Sequence, residues 1–287
     1  MDNSFNYDEA FSRNQGWVTK EEQKFLKSRR VAIAGLGGVG GSHLTTLCRL
    51  GIGKFNIADL DIFEQANFNR QAGASLATLG LAKVEAMQQI ALGINPDLEI
   101  KAFPQGVTSE NVDEFLDGVD LYIDGLDFFV LDIRCKVFAA CAEKGIPAIT
   151  AAPLGMGTAL LCFLPGKMSF EEYFRLDGQP QHEKILRFFM GLAPARLQMG
   201  YLVDPTTLDL AGEKGPSTNM GCDLAAGVAA SNALKILLAR GKVVCAPYGL
   251  HFDAYHNRLR KTWLPMGNNN PLQKIRLHAM RKHLGIL

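Results

Sequence analysis

The stretch Val31-Ala-Ile-Ala-Gly-Leu-Gly-Gly-Val-Gly40 constrains this chain more than any other. Four apolar residues run straight into a glycine cluster, which reads as a short buried strand, a tight loop and the start of a helix. Gly35, Gly37 and Gly40 fit the spacing G-x-G-x-x-G, and Gly38 adds a further position without a side chain. Such a loop lets the backbone close on a phosphate. Its N–H groups and the positive end of the next helix both aim at the anion. The motif alone says nucleotide, and a dinucleotide cofactor is its ordinary meaning.

The residues that follow narrow this. A helix from about Gly40 to Leu50 is stopped by Gly51-Ile-Gly53, and a second strand runs from Lys54 to Asp59. Asp59 falls 19 residues past Gly40, placed for a ribose hydroxyl pair at the end of the second strand. Next comes Asp61-Ile-Phe-Glu-Gln-Ala-Asn67-Phe-Asn-Arg70-Gln71, with Asn67 and Arg70 three apart and so on one face of a helical turn. Lys83 opens a further helix whose Val84, Met87 and Ile90 face the sheet, leaving Lys83 off that face. Two cations beside one glycine loop suit a triphosphate better than a pyrophosphate buried between sugars. Taken singly, either cation is as well explained as a surface charge.

Further strands are expected at Leu98–Phe103, Asp120–Asp124 and Ala148–Ala152, with a helix over Asp132–Glu143. Asp124 and Asp127 lie at the carboxyl end of a parallel strand, the edge where such sheets bind ligands. One of the two is placed for Mg²⁺, which leans on one or two carboxylates plus substrate phosphates. Asp127 also suits a helix N-cap.

At this point the constellation resembles the ThiF/MoeB/ubiquitin-activating adenylyltransferases, across roughly residues 10–165 and again 215–265. The matching residues are Gly35-x-Gly-Gly-x-Gly40, Asp59, Asn67-x-x-Arg70, Lys83 and Asp127, with Arg13 as an N-terminal arginine. The resemblance implies that Asp59 holds the ATP ribose and that Asn67, Arg70 and Lys83 orient the phosphates. It further implies that Asp127 holds Mg²⁺ and that Arg13 reaches the γ-phosphate in a neighbouring subunit, so a homodimer. Read from its residues alone, Arg13 is an ordinary solvated helix charge.

The rest fits this less completely. The cysteines Cys48, Cys135, Cys141, Cys162, Cys222 and Cys245 form no Cys-x-x-Cys pair, so no zinc site is expected. Cys222 lies near the start of a small-residue helix running to about Ala239. A helix N-terminus can activate a thiol, but Asp223 opposes ionisation, so Cys222 reads as structural with a reactive thiol as the weaker option. Residues 166–214 carry no recognisable thioester-cysteine segment, and Phe170, Tyr173, Phe174, Phe188 and Phe189 read as a private mini-core or a docking surface. A terminal hairpin is expected over Gly249–Tyr255 and Arg258–Trp263, then a basic helix from Lys274 to His283 that could meet an acidic partner or RNA.

The expected fold is α/β: a Rossmann-like doubly wound, mostly parallel sheet with a C-terminal antiparallel extension. One adenylation domain fills 1–287, divided into a lead-in (1–28), a nucleotide-binding core (29–165), a crossover insertion (166–214) and a completing helix, hairpin and basic tail (215–287). The net charge of +1 gives no bulk bias toward nucleic acid or membrane. No apolar run reaches the roughly 20 residues of a membrane helix, and the acidic N-terminus is unlike a signal peptide, so a cytoplasmic protein is expected. The expected activity is ATP- and Mg²⁺-dependent adenylylation of a carboxylate, foremost the C-terminal glycine of a ubiquitin-like or sulfur-carrier protein. The alternatives are a tRNA threonylcarbamoyladenosine dehydratase-like enzyme, an NAD(P)-dependent oxidoreductase or a non-catalytic partner subunit.

Overall fold

A computed structural model describes residues 4–208, 212 and 214–283. The first positions of the lead-in (1–3), the end of the crossover (209–211 and 213) and the last of the tail (284–287) lie outside the described residues.

Helices α1 (Tyr7–Ala10) and α2 (Lys20–Ser28) precede β1 (Arg30–Ala34), α3 (Gly38–Leu50), β2 (Lys54–Ala58), α4 (Lys83–Ile94) and β3 (Glu99–Phe103). Then come α5 (Val112–Phe115), β4 (Leu121–Asp124), α6 (Leu131–Glu143), β5 (Ala148–Leu154) and β6 (Gly157–Phe163). The chain continues through α7 (Phe170–Phe174), α8 (Gln181–Leu192), α9 (Asn219–Leu237), β7 (Tyr248–Asp253), β8 (Arg258–Trp263) and α10 (Pro271–His283).

All eight strands form one sheet in the order β3-β2-β1-β4-β5-β6-β7-β8. The pairs from β3 to β5 are parallel, and those from β5 to β8 antiparallel. The doubly wound sheet with its antiparallel extension is therefore present. Strand β6 is the element the sequence does not announce. It follows β5 after only Gly155-Met156, so the two apolar runs merge into one in the sequence.

Side chains of β1 alternate between two cores, as a strand buried on both faces requires. Val31 and Ile33 pack with Leu26 of α2, Leu44 and Leu47 of α3, Met87 of α4 and the alanines of α9. Ala32 and Ala34 face the other layer, with Phe115, Phe138, Phe170, Phe174 and Phe188. The crossover aromatics are thus core residues, but not a private cluster. Phe170 stacks on Phe138 of α6 with ring centres 4.3 Å apart, because α7 and α8 cover sheet that α6 leaves open. Phe189 lies beside a small satellite of Leu186, Met190 and Leu277 that docks α10.

Local signals fix the ends. Thr19 and Glu22 form a reciprocal capping box at the start of α2. Helix α3 begins two residues earlier than expected, at Gly38, and stops at Gly51 with φ 90°.

Candidate active site

Strand β1 lies between β2, which follows it, and β4, which continues the chain on its other side. This reversal opens a crevice at the carboxyl ends of the strands. Ala34 is in register with Ala58 of β2 and Asp124 of β4, so the residues after each strand meet at one edge.

The glycine loop sits in that crevice, backbone against backbone. Gly35 has φ +82°, and a Cβ there would lie 2.3 Å from the Gly125 carbonyl oxygen. A Cβ at Gly40 would come within 1.8 Å of the Gly35 carbonyl oxygen. Only glycine fits at Gly35, Gly40 and Gly125, and α3 starts with its first N–H groups open to the crevice.

Asp59 follows β2 and braces the loop. Its Oδ2 accepts from the Leu36 N–H at 2.6 Å and its Oδ1 from the Asp61 N–H at 2.9 Å. Asn67 is buried, and its Oδ1 accepts from the Glu64 N–H at 2.9 Å, closing the turn that carries Arg70. Arg70 is half-buried against the loop: a Cβ at Gly38 would lie 3.5 Å from its Cγ. Its guanidinium donates to the Ala66 carbonyl and to Asn69 Oδ1.

Of the two readings of Lys83, a phosphate-facing cation or a surface charge, the second does not hold. Lys83 is buried, and its Nζ donates to Asp61 Oδ2 at 2.9 Å while its N–H donates to the Asp61 carbonyl. The cause is the fold-back of the segment before α4, which bridges Ile62 to Ala82. Asp61 thus links Lys83 to Asp59, a contact that periodicity does not reveal.

Of the two aspartates after β4, Asp124 is committed to structure. It is buried and its Oδ2 accepts from Arg134 Nε at 2.9 Å. Arg134 also donates to the carbonyls of Leu126, Asp127, Phe128 and Val130, so one buried guanidinium shapes the loop of residues 125–130. That loop presents Asp127 exposed at the crevice edge, its Oδ1 accepting from the Phe129 N–H at 3.0 Å. Asp127 fits a metal that draws its other ligands from phosphates and water. Among the described residues no group of three or more His, Cys, Asp or Glu could hold a metal ion unaided.

Arg13 stands exposed on the single turn Ser12–Asn14. Asn14 beside it bonds the Leu50 carbonyl, at the far end of α3 from the glycine loop. Along the 13 residues of α3 that separation is about 20 Å. Arg13 therefore does not join the loop of its own chain.

Cys222 is buried in the first turn of α9, with its Sγ 2.9 Å from where a Gly38 Cβ would be. Burial pushes its thiol up to about 11, against the pull of Ser217 and Arg70. It stays protonated at neutral pH and walls the loop. Helix α9 is fixed there by Thr218, which caps Gly221 and donates to the Gly155 carbonyl, and by the Asn69 side chain bonded to Ser217.

The ThiF family profile matches residues 11–274. The chain belongs to the ThiF family. Members of this family are ATP-dependent adenylyltransferases. Over 147 residues it is 36% identical to the tRNA threonylcarbamoyladenosine dehydratase of Bacillus subtilis, covering 49% of this chain and 55% of that one. Over 95 residues it is 33% identical to the adenylyltransferase and sulfurtransferase UBA4 of Lodderomyces elongisporus, covering 33% of this chain and 21% of that one. This ThiF family chain thus spans between a fifth and just over half of these relatives. The crystal structure of PaaA superposes with a TM-score of 0.67 at 17% identity, over 92% of this chain and 77% of that one, a likeness of fold. No described helix is long and apolar enough to cross a membrane.

Proposed function

We propose that this chain is a cytoplasmic ATP-dependent adenylyltransferase that converts a carboxylate into an acyl-adenylate with release of pyrophosphate. The observation that carries this reading is one network: loop, Asp59, Asp61 and Lys83 in series, with Arg70 against Gly38. An NAD(P)-dependent oxidoreductase has no use for those two cations, and family membership favours ATP.

A carboxylate is a weak nucleophile, and attack on the α-phosphorus needs positioning and charge neutralisation more than proton transfer. One carboxylate oxygen bonds to the α-phosphorus while the bond to the bridging oxygen breaks, and pyrophosphate leaves with the electron pair. The loop N–H groups and Asp59 hold the nucleotide. Arg70 steadies the phosphates with Asn67, whose carboxamide also closes the turn. Lys83 exchanges Asp61 for a phosphate oxygen. Mg²⁺ would be held by Asp127 and would neutralise charge on the departing pyrophosphate. Arg13, a helix length from its own loop, would serve the nucleotide of a second subunit in a homodimer. In this reading the whole chain acts as one adenylation domain.

The substrate favoured is the C-terminal glycine of a ubiquitin-like or sulfur-carrier protein, in line with the UBA4 match. A second reading, activation of the threonylcarbamoyl carboxylate on tRNA, draws on the match to the Bacillus enzyme. The exposed Lys274, Arg276 and Lys282 of α10 are compatible with it.

Exchange of labelled pyrophosphate into ATP tests this, run with carrier proteins ending in Gly-Gly and with tRNA. Arg70→Ala and Asp127→Ala are expected to abolish exchange and keep the fold. Arg13→Ala mixed with Asp127→Ala is expected to recover part of it through hybrid dimers. Full exchange by Asp127→Ala alone would overturn the metal role, and tight NADH binding without ATP binding would overturn the whole reading.

A further inference from the structure

The positive charge of this chain is gathered at one end. Residues 254–287 hold seven Lys and Arg and no Asp or Glu, although the whole chain carries only +1. Three of the seven, Arg258, Arg260 and Lys261, lie on β8, the last strand of the sheet, whose outer edge pairs with no other described strand. All three are exposed, and no ion pair among the described residues engages them. Bare aromatic surface lies beside them. Trp263 is 64% exposed and stacks on Tyr248 of β7, its register partner, with ring centres 6.2 Å apart. Lys261 Nζ sits 4.5 Å from the centre of the Tyr248 ring, and alternation along the strand puts the exposed Leu259 on that same face.

Charge on an edge strand guards against stray sheet pairing. That accounts for the cations but not for a tryptophan left in water beside them. A second copy of this strand would be repelled, like charge against like. A protein interface has an apolar centre, and here Lys261 stands between Leu259 and Trp263 and breaks the apolar face in two. Cations with interleaved rings suit unpaired nucleic acid, whose phosphates take the charges and whose bases stack on the rings. A duplex keeps its bases stacked on each other and leaves the rings without a partner.

We propose that the β7–β8 hairpin is a docking surface for an unpaired stretch of RNA. Trp263 and Tyr248 stack on its bases, and Arg258, Arg260 and Lys261 hold its phosphates. The proposal takes the tRNA reading above for the kind of nucleic acid and adds the surface that holds it. Arg258 lies opposite Asp253, Asp253 opposite Gly157, and Gly157 opposite Leu154 at the carboxyl end of β5. The hairpin turn therefore shares the crevice's edge of the sheet. Four strand spacings separate β8 from β4, about 19 Å, so RNA held on the hairpin can extend into the crevice.

Fluorescence anisotropy of the full chain with labelled oligouridine, the matching uridine–adenine duplex and labelled polyglutamate tests this without ATP. Wild type is expected to bind oligouridine about tenfold tighter than either of the others. Trp263→Ala, at an exposed position, is expected to weaken that binding about fivefold to a hundredfold, and Trp263→Phe to keep most of it. The triple change Arg258→Gln, Arg260→Gln and Lys261→Gln is expected to lower the slope of log affinity against log salt by about 2. Duplex or polyglutamate bound as tightly as oligouridine overturns the proposal, as does wild-type affinity in Trp263→Ala. Binding that is lost in Lys274→Gln with Arg276→Gln but untouched by the hairpin changes also overturns it. If tRNA fails to stimulate pyrophosphate exchange while oligouridine still binds through Trp263, the tRNA reading falls and the hairpin stands, so the two failures are told apart.

Discussion

Two ion pairs stand a few residues from the same glycine loop and differ in kind. Arg134 and Asp124 are each 2% exposed, and the guanidinium spends its donors on that carboxylate and four carbonyls. Lys83 is 7% exposed, but its partner Asp61 is 57% exposed. The first pair has no exit, since either charge left alone would be stranded out of water. In the second, Asp61 can turn to solvent at little cost and leave the ammonium to another anion. One pair is buried on both sides, and the other pairs a buried cation with a carboxylate in water.

The sharpest way to break that contrast is Arg134→Met. Asp124 would be left buried and unpaired, and unfolding in urea is expected to show a loss of about 3–5 kcal/mol. The matched change Asp61→Asn keeps an oxygen acceptor for the buried ammonium and is expected to cost less, about 1–2 kcal/mol. Equal losses would erase the distinction. Next in size is Lys83→Met, expected to lower kcat/KM for pyrophosphate exchange by about 10²–10³ while stability changes little. A variant that unfolds instead would make Lys83 scaffold too.

A further effect, seen only as pH falls, concerns His43 of α3, buried with both ring nitrogens unpartnered. Burial pushes it down to about 3. The unfolded chain then binds a proton near pH 6.5 that the folded one refuses, so its stability is complete above that pH and falls toward pH 3. The expected slope is about 1.4 kcal/mol per pH unit below 6.5. His43→Leu should flatten Tm against pH between 6.5 and 5, and an unchanged profile would sink this assignment.

What the sequence makes legible is local. The glycine spacing, the carboxylate after β2 and the capping box of α2 each lie within a few turns of what they act on. The pairing of Lys83 with Asp61 spans 22 residues and depends on a fold-back that no period records. Arg134 looks like an ordinary charge on α6 until β4 ends beside it. Its presence decides that Asp124 is not available to a metal, a choice the spacing of Asp124 and Asp127 leaves open. Cys222 and Gln71 reach the loop from α9 and from the turn after Asn67, contacts that only the tertiary fold creates.

The close stacking of Gly35, Gly40 and Gly125 carries one more lesson. Main chain resting on main chain leaves the cradle nothing to fall into when it is vacant. Its shape is set in advance, and the entropy of ordering it is spent during folding, not at the encounter with ligand. On the ATP reading, adaptation to an arriving guest falls to side chains at the rim, the exposed Asp61 among them.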